Sequence, residues 1–176
     1  MKHALTLLIA ITAALAGLVA SSAGSSADKS RALPSFEMKD LEENTVSTND
    51  ERFKDKKLLL VAFGTWQQVS FDQADAVEQF HKKHPEVEII AFVVDSPERA
   101  REFRASRGLT FPCYKPDGGP RIDTGFRHLF DVRESRQLNM NRLPWVLFTG
   151  ADHEIRFDHL GLVGLEQLEE EYAKIK

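Results

Sequence analysis

Apolar blocks and amphipathic stretches alternate along most of this chain. Leu58-Leu59-Leu60-Val61-Ala62-Phe63 is a continuous apolar run ended by Gly64, the pattern of a strand buried on both faces. Phe71, Ala74, Val77, Phe80 and His81 then recur at helical spacing as far as His84-Pro85, where proline ends a helix because it lacks an N–H and clashes with the preceding turn. A helix over 70–83 is predicted. A second buried strand follows over 87–94. Asp95-Ser96-Pro97-Glu98 opens another helix with proline in its first turn, and Gly108 is placed to close it. Residues 111–114 read as a short extended piece, 116–119 as a turn and 126–132 as a helical turn or two. Strands over 145–149 and 155–160 flank the turn Gly150-Ala151-Asp152-His153, and 165–175 forms an amphipathic helix with Leu165, Leu168 and Tyr172 on one face. Upstream, 33–38 and 46–48 flank the turn-forming Glu42-Glu43-Asn44 as an N-terminal hairpin. This order predicts an α/β domain, a central mixed sheet flanked by helices.

The first 27 residues have a different pattern. Lys2 and His3 form a polar tip, Ala4 to Ala20 an apolar run, and a Ser/Ala-rich stretch follows. At about 17 residues the run suits a secretory signal better than a bilayer span. Small residues allow cleavage after Ala23 or Ala27, so 1–27 is expected to be signal and polar linker and 28–176 the domain. No cysteine follows the run, so lipid attachment there is excluded. The mature protein is expected outside the cytoplasm, in a bacterial periplasm or the medium, without stable membrane insertion.

Composition narrows the classes further. With 176 residues, 42% hydrophobic and 28% charged, the chain can build one core without disulfides or metals. A net charge of −4 and the lack of a basic tract argue against nucleic acid as partner. Arg133, Arg136 and Arg142, mixed with Glu134, read as a solvated loop. Cys113 is the single cysteine, unusual in an oxidising compartment. Its favoured reading is a small buried hydrophobe. The alternative is a lone reactive thiol acting as a single-cysteine oxidoreductase or redox sensor. His81 and His84, with Glu78 one turn before, could face a metal, but two histidines are too few, and His128, His153 and His159 form no ligand-spaced cluster. No metal or other cofactor is expected.

Several landmarks together resemble the TlpA/ResA-like branch of exported thioredoxin-fold proteins. Leu33-Pro34-Ser35-Phe36 with Lys39-Asp40-Leu41 looks like that branch's N-terminal hairpin. Leu60 to Trp66 looks like the strand and tryptophan before its redox motif, and Thr110-Phe111-Pro112 and Arg142-Leu143-Pro144 match later landmarks. The resemblance spans 33–175 and implies a thioredoxin-like fold. It places Gln67 and Ser70 at the two positions of the branch's Cys-x-x-Cys motif, with Gln68 between them. Dithiol exchange needs one thiolate to attack and a second to resolve the mixed disulfide, so that activity is not expected. Ser70 is read as a helix N-cap. The resemblance also implies a cis Leu143-Pro144 bond, beside which the backbone could pair with an extended peptide. The free N–H groups of the vacated helix start could hold a carboxylate. Trp66 and Trp145, the only tryptophans, flank that surface. Trp145, where the branch more often has a small polar residue, is either a core side chain or an aromatic anchor for a partner. The resulting expectation is a non-catalytic module that holds a peptide or protein at Trp66, Gln67, Gln68, Ser70, Leu143, Pro144 and Trp145.

Overall fold

A computed structural model describes residues 32–115 and 143–175. The predicted signal, the turn at 116–119, the helical turn at 126–132, His128 and Arg133, Arg136 and Arg142 lie outside the described residues.

The apolar run becomes β3 (Leu58–Gly64), buried along its whole length. On one side it pairs in parallel with β4 (Glu88–Val94), Leu58 opposite Glu88 through Gly64 opposite Val94. On the other it pairs antiparallel with β6 (Trp145–Thr149), Leu59 opposite Phe148 through Ala62 opposite Trp145. β6 turns back into β7 (Ile155–Leu160). β4 pairs in parallel with β5 (Cys113–Lys115), which pairs antiparallel with β1 (Glu37–Asp40) of the hairpin formed with β2 (Thr45–Ser47). The seven strands run β2-β1-β5-β4-β3-β6-β7.

Successive strand residues point to opposite faces, which divides the interior in two. Leu59, Val61 and Phe63 pack with Ala74, Val77 and Phe80 of α1 (Gln68–Lys83), Phe103 of α2 (Pro97–Arg107) and Leu168 of α3 (Leu165–Lys174). Leu58, Leu60 and Ala62 pack with Phe36, Met38, Phe53, Phe92 and Trp145 on the opposite face. With both faces covered, the unbroken apolar run is what β3 requires.

Local chemistry sets the helix ends. The Ser96 hydroxyl accepts from the Arg99 N–H at 3.4 Å ahead of Pro97, and Gly108 closes α2 in the left-handed region with φ 60°, which glycine adopts without a Cβ penalty. Several boundaries differ from the sequence reading, chiefly the starts of α1, β1 and β5, the last at Cys113 rather than residue 111. α1 starts at Gln68, two residues earlier than predicted. β1 starts at Glu37 rather than residue 33: Ala32 bridges Glu154, and the Leu33 N–H donates to the His153 carbonyl at 2.8 Å, so the chain first runs beside the β6–β7 turn.

Candidate functional site

The end of β3, the start of α1 and the residues before β6 meet at one end of the sheet. At the turn into α1 the Gln67 N–H donates to the Gly64 carbonyl at 3.2 Å, and the Ser70 N–H to the Gln67 carbonyl at 3.0 Å. Gln67 is the N-cap, with extended backbone and no side-chain capping bond. Ser70 therefore does not cap the helix as expected. It is the third helical residue, fully buried, and its hydroxyl accepts from the Gly64 N–H at 3.0 Å. A short side chain one turn into the helix reaches back to the strand end and satisfies a backbone donor there. Here the hydroxyl is held by a backbone donor, whereas a nucleophilic hydroxyl needs an adjacent base.

Trp66 projects outward, 48% exposed. A Cβ on Gly64 would lie 3.1 Å from Trp66 Cζ2 and 3.3 Å from Leu143 Cδ1, so the glycine lets the indole and Leu143 close over the strand backbone. The Leu143–Pro144 bond is cis. Leu143 precedes the first paired residue of β6, so its N–H and carbonyl belong to neither flanking ladder. Pro144 brings no N–H, and its carbonyl accepts from the Gly161 N–H at 2.8 Å.

That bond brings in a segment the sequence reading missed. Gly161, at φ 117°, has a backbone that residues with a side chain rarely adopt, and it turns β7 into the approach to α3. Gln73 of α1 is fully buried. Its Oε1 accepts from the Val163 N–H at 2.7 Å and its Nε2 donates to the Val163 carbonyl at 2.9 Å. Residues 161–163 are thus tied to Pro144 at one end and to α1, one turn beyond Val69, at the other. Leu162 between them is 44% exposed and Val69 42%. With Trp66, these are the exposed large hydrophobic residues among those described. The available sequence signal was the apolar pair Leu162-Val163 between Gly161 and Gly164, which marks an apolar loop without showing where it docks.

Trp145 does not join this surface. It is 1% exposed, and its indole N–H donates to Asp158 Oδ1 at 3.0 Å. The anchor reading of this side chain is corrected: as the first residue of β6 it points into the sheet's second core, and its polar edge is satisfied from β7. Leu143 is likewise buried, so its side chain does not join the surface either. Beside the face, the Thr65 hydroxyl donates to the Asp95 carboxylate, and Arg99 lies 4.0 Å from Asp95. An open groove of ≈ 370 Å³ continues from Thr65 past Phe71, Arg99, Glu102, Phe103 and Ser106.

Cys113 lies elsewhere. β5 is separated from β3 by β4, and the thiol is 3% exposed, with Sγ 4.0 Å from the Phe111 carbonyl. Burial pushes its pKa up to about 12, against a smaller opposing pull from Arg104. Because the thiolate is the reactive form, the single-cysteine redox reading is corrected: this thiol is a core side chain of the folded protein. Glu78, His81 and His84 also diverge. Glu78 accepts from Thr110 and pairs with Lys82, the His81 ring packs edge-on to Phe111, and His84 Nε2 lies 2.6 Å from Glu169. Among the described residues no three His, Cys, Asp or Glu side chains gather as a metal site, and no helix is long and apolar enough to cross a membrane.

The parallel β3–α1–β4 unit, the antiparallel β6–β7 hairpin after a cis-proline and the closing helix define a thioredoxin-like fold. Solved structures share it. A thiol:disulfide interchange protein of the thioredoxin family from Chlorobium tepidum superposes with a TM-score of 0.67 at 13% identity, covering 82% of this chain and 95% of that one. A secreted Mycobacterium tuberculosis disulfide oxidoreductase homologous to E. coli DsbE gives 0.63 at 14%, covering 80% and 96%. StoA from Bacillus subtilis gives 0.57 at 18%, covering 80% and 97%. The chain belongs to the AhpC/TSA family, whose model matches residues 30–156. A comparison with curated proteins finds no match.

Proposed function

We propose that this protein is an exported, non-catalytic thioredoxin-fold module that holds an extended peptide segment of a partner protein against the face formed by Trp66, Gln67, Gln68, Val69, Leu162 and the Leu143–Pro144 backbone. The observation that carries this reading is the gathering of the exposed large hydrophobic side chains around the one place where thiol chemistry would occur, with Gln67 and Ser70 in place of the thiols. Exposed apolar groups beside Leu143, which lies outside both flanking ladders, suit recognition in which main-chain bonds give affinity and side chains give selectivity. Residues 1–27 act in this reading as a cleaved signal that delivers the domain 28–176 outside the cytoplasm.

The test selects peptides from a random displayed library on the mature protein and measures their affinity for Trp66→Ala and Val69→Asp. A loss of about tenfold or more in each, equivalent to about 1.4 kcal/mol, is expected. Unchanged affinity in both variants overturns the assignment of the face.

A further inference from the structure

Resting on that reading of the face, we infer that Gln73 is the positioning residue that presets it, an uncharged clamp that fixes the loop carrying Leu162 against α1 and the Pro144 loop. The side chain is fully buried in the first half of α1. Its two amide atoms hold both polar groups of one residue, accepting from the Val163 N–H at 2.7 Å and donating to its carbonyl at 2.9 Å. Glutamine is the longer of the two amide side chains, which carry a donor and an acceptor side by side on one planar group, as bridging one residue's N–H and C=O demands. The loop between the clamp and the Gly161–Pro144 bond is short, so Leu162 has little freedom to turn away. Both bonds lie in the interior, where leaving either partner unmet is costly.

The amide also makes the clamp insensitive to pH. A carboxyl group at position 73 would make both bonds only when protonated; once ionised it could accept from the Val163 N–H but would set a second acceptor against the Val163 carbonyl. Among the described residues, the titratable groups nearest the loop are His159, whose Nε2 lies 3.5 Å from where a Gly161 Cβ would stand, and Glu166, which follows it in the first turn of α3. Both variants keep these two groups, so comparison with wild type at each pH cancels their contribution.

The experiment measures amide hydrogen exchange over residues 161–163 in the wild-type protein, Gln73→Glu and Gln73→Met at pH 4 to 8. With Gln73→Glu, the exchange rate relative to wild type is expected to rise about tenfold or more from the acidic to the neutral end, the equivalent of one interior hydrogen bond. With Gln73→Met the ratio should be raised by a similar factor at every pH. Urea unfolding of each variant separates loop release from global destabilisation. A ratio near one throughout overturns the clamp. A peptide selected on the wild-type protein then tests the link to the face: its affinity for Gln73→Glu should fall over the same pH span. If the loop loosens while a Trp66-dependent peptide binds as before, the clamp is purely structural and the inference is wrong. If peptide binding never depended on Trp66, the reading of the face fails while the exchange result still judges the clamp.

Discussion

Two buried side chains at the residue scale, Ser70 and Cys113, show why residue type alone underdetermines a role. Replacing Ser70 with alanine removes the acceptor of the Gly64 N–H and should cost roughly 1–3 kcal/mol, the penalty for an unmet buried donor. Urea denaturation measures it, and a loss confined to a few tenths would mean that water takes over the bond. Cys113 should resist iodoacetamide in the folded protein from neutral pH to pH 9, because burial holds its pKa at about 12, and should label fully once the chain is unfolded. Labelling of the folded protein at neutral pH, read by intact mass, would contradict the buried assignment. The sequence pointed to Cys113 as a core residue because a lone free cysteine commonly behaves as a small buried hydrophobe. It could not show that Ser70 reaches the strand end, since that bond depends on where α1 begins, two residues before the predicted start. Trp145 remained ambiguous for a related reason. A tryptophan after a proline can face either side of a strand, and only the register of β6 against β3 and β7 decides which.

The elements themselves were legible wherever period and punctuation agreed. The apolar run of β3, the Ser96–Pro97 start and Gly108 stop of α2, and the β6–β7 turn all follow from local chemistry. The loop at 161–163 was not legible, because its partners lie on α1 and before β6, far away in sequence. Glu78 is a similar long-range link: its carboxylate leaves α1 to accept from the Thr110 N–H at 2.9 Å and from the Thr110 hydroxyl at 3.0 Å, pinning the segment between α2 and β5. Burial pushes the Glu78 pKa upward, but the bonds from Thr110 and Lys82 outweigh it and leave the pKa below its ordinary value. A folded pKa below the unfolded one means that the carboxylate's contribution is fully present above about 4.3, the ordinary glutamate value. It is lost as the pH falls through the lower folded value. Glu78→Ala should therefore reduce stability by roughly 1–3 kcal/mol at pH 7, with the deficit shrinking below about pH 4. Urea titrations of both proteins at a series of pH values would show it, and a deficit constant down to pH 3 would mean that the ionised form is not what holds Thr110.

For the whole molecule, the mixed sheet was predictable because each strand's pattern matched its number of covered faces, whereas the strand order rests on pairings between distant segments. β3 lies between β4, which follows within one helix, and β6, which arrives only after both α2 and β5 have been made. The ends are joined as well: Lys57, just before β3, donates to the Ile175 carbonyl at 2.8 Å and sits over the Tyr172 ring. A chain ending at Lys115 retains β1 to β5, α1 and α2 but leaves one edge of β3 open and removes α3 from the helical face. It is expected to show no cooperative urea transition by circular dichroism, and a sigmoidal transition in that fragment would locate an independent folding unit before β6. The same topology sets the order in which the sheet can be completed during synthesis. Non-local pairing is slow because loop closure precedes its reward, and here the most buried strand stays half-paired until Trp145–Thr149, in the last fifth of the polypeptide, has been synthesised. An emerging chain without β6 cannot close its own centre, so the sheet is completed only once Trp145–Thr149 has been made and has found β3.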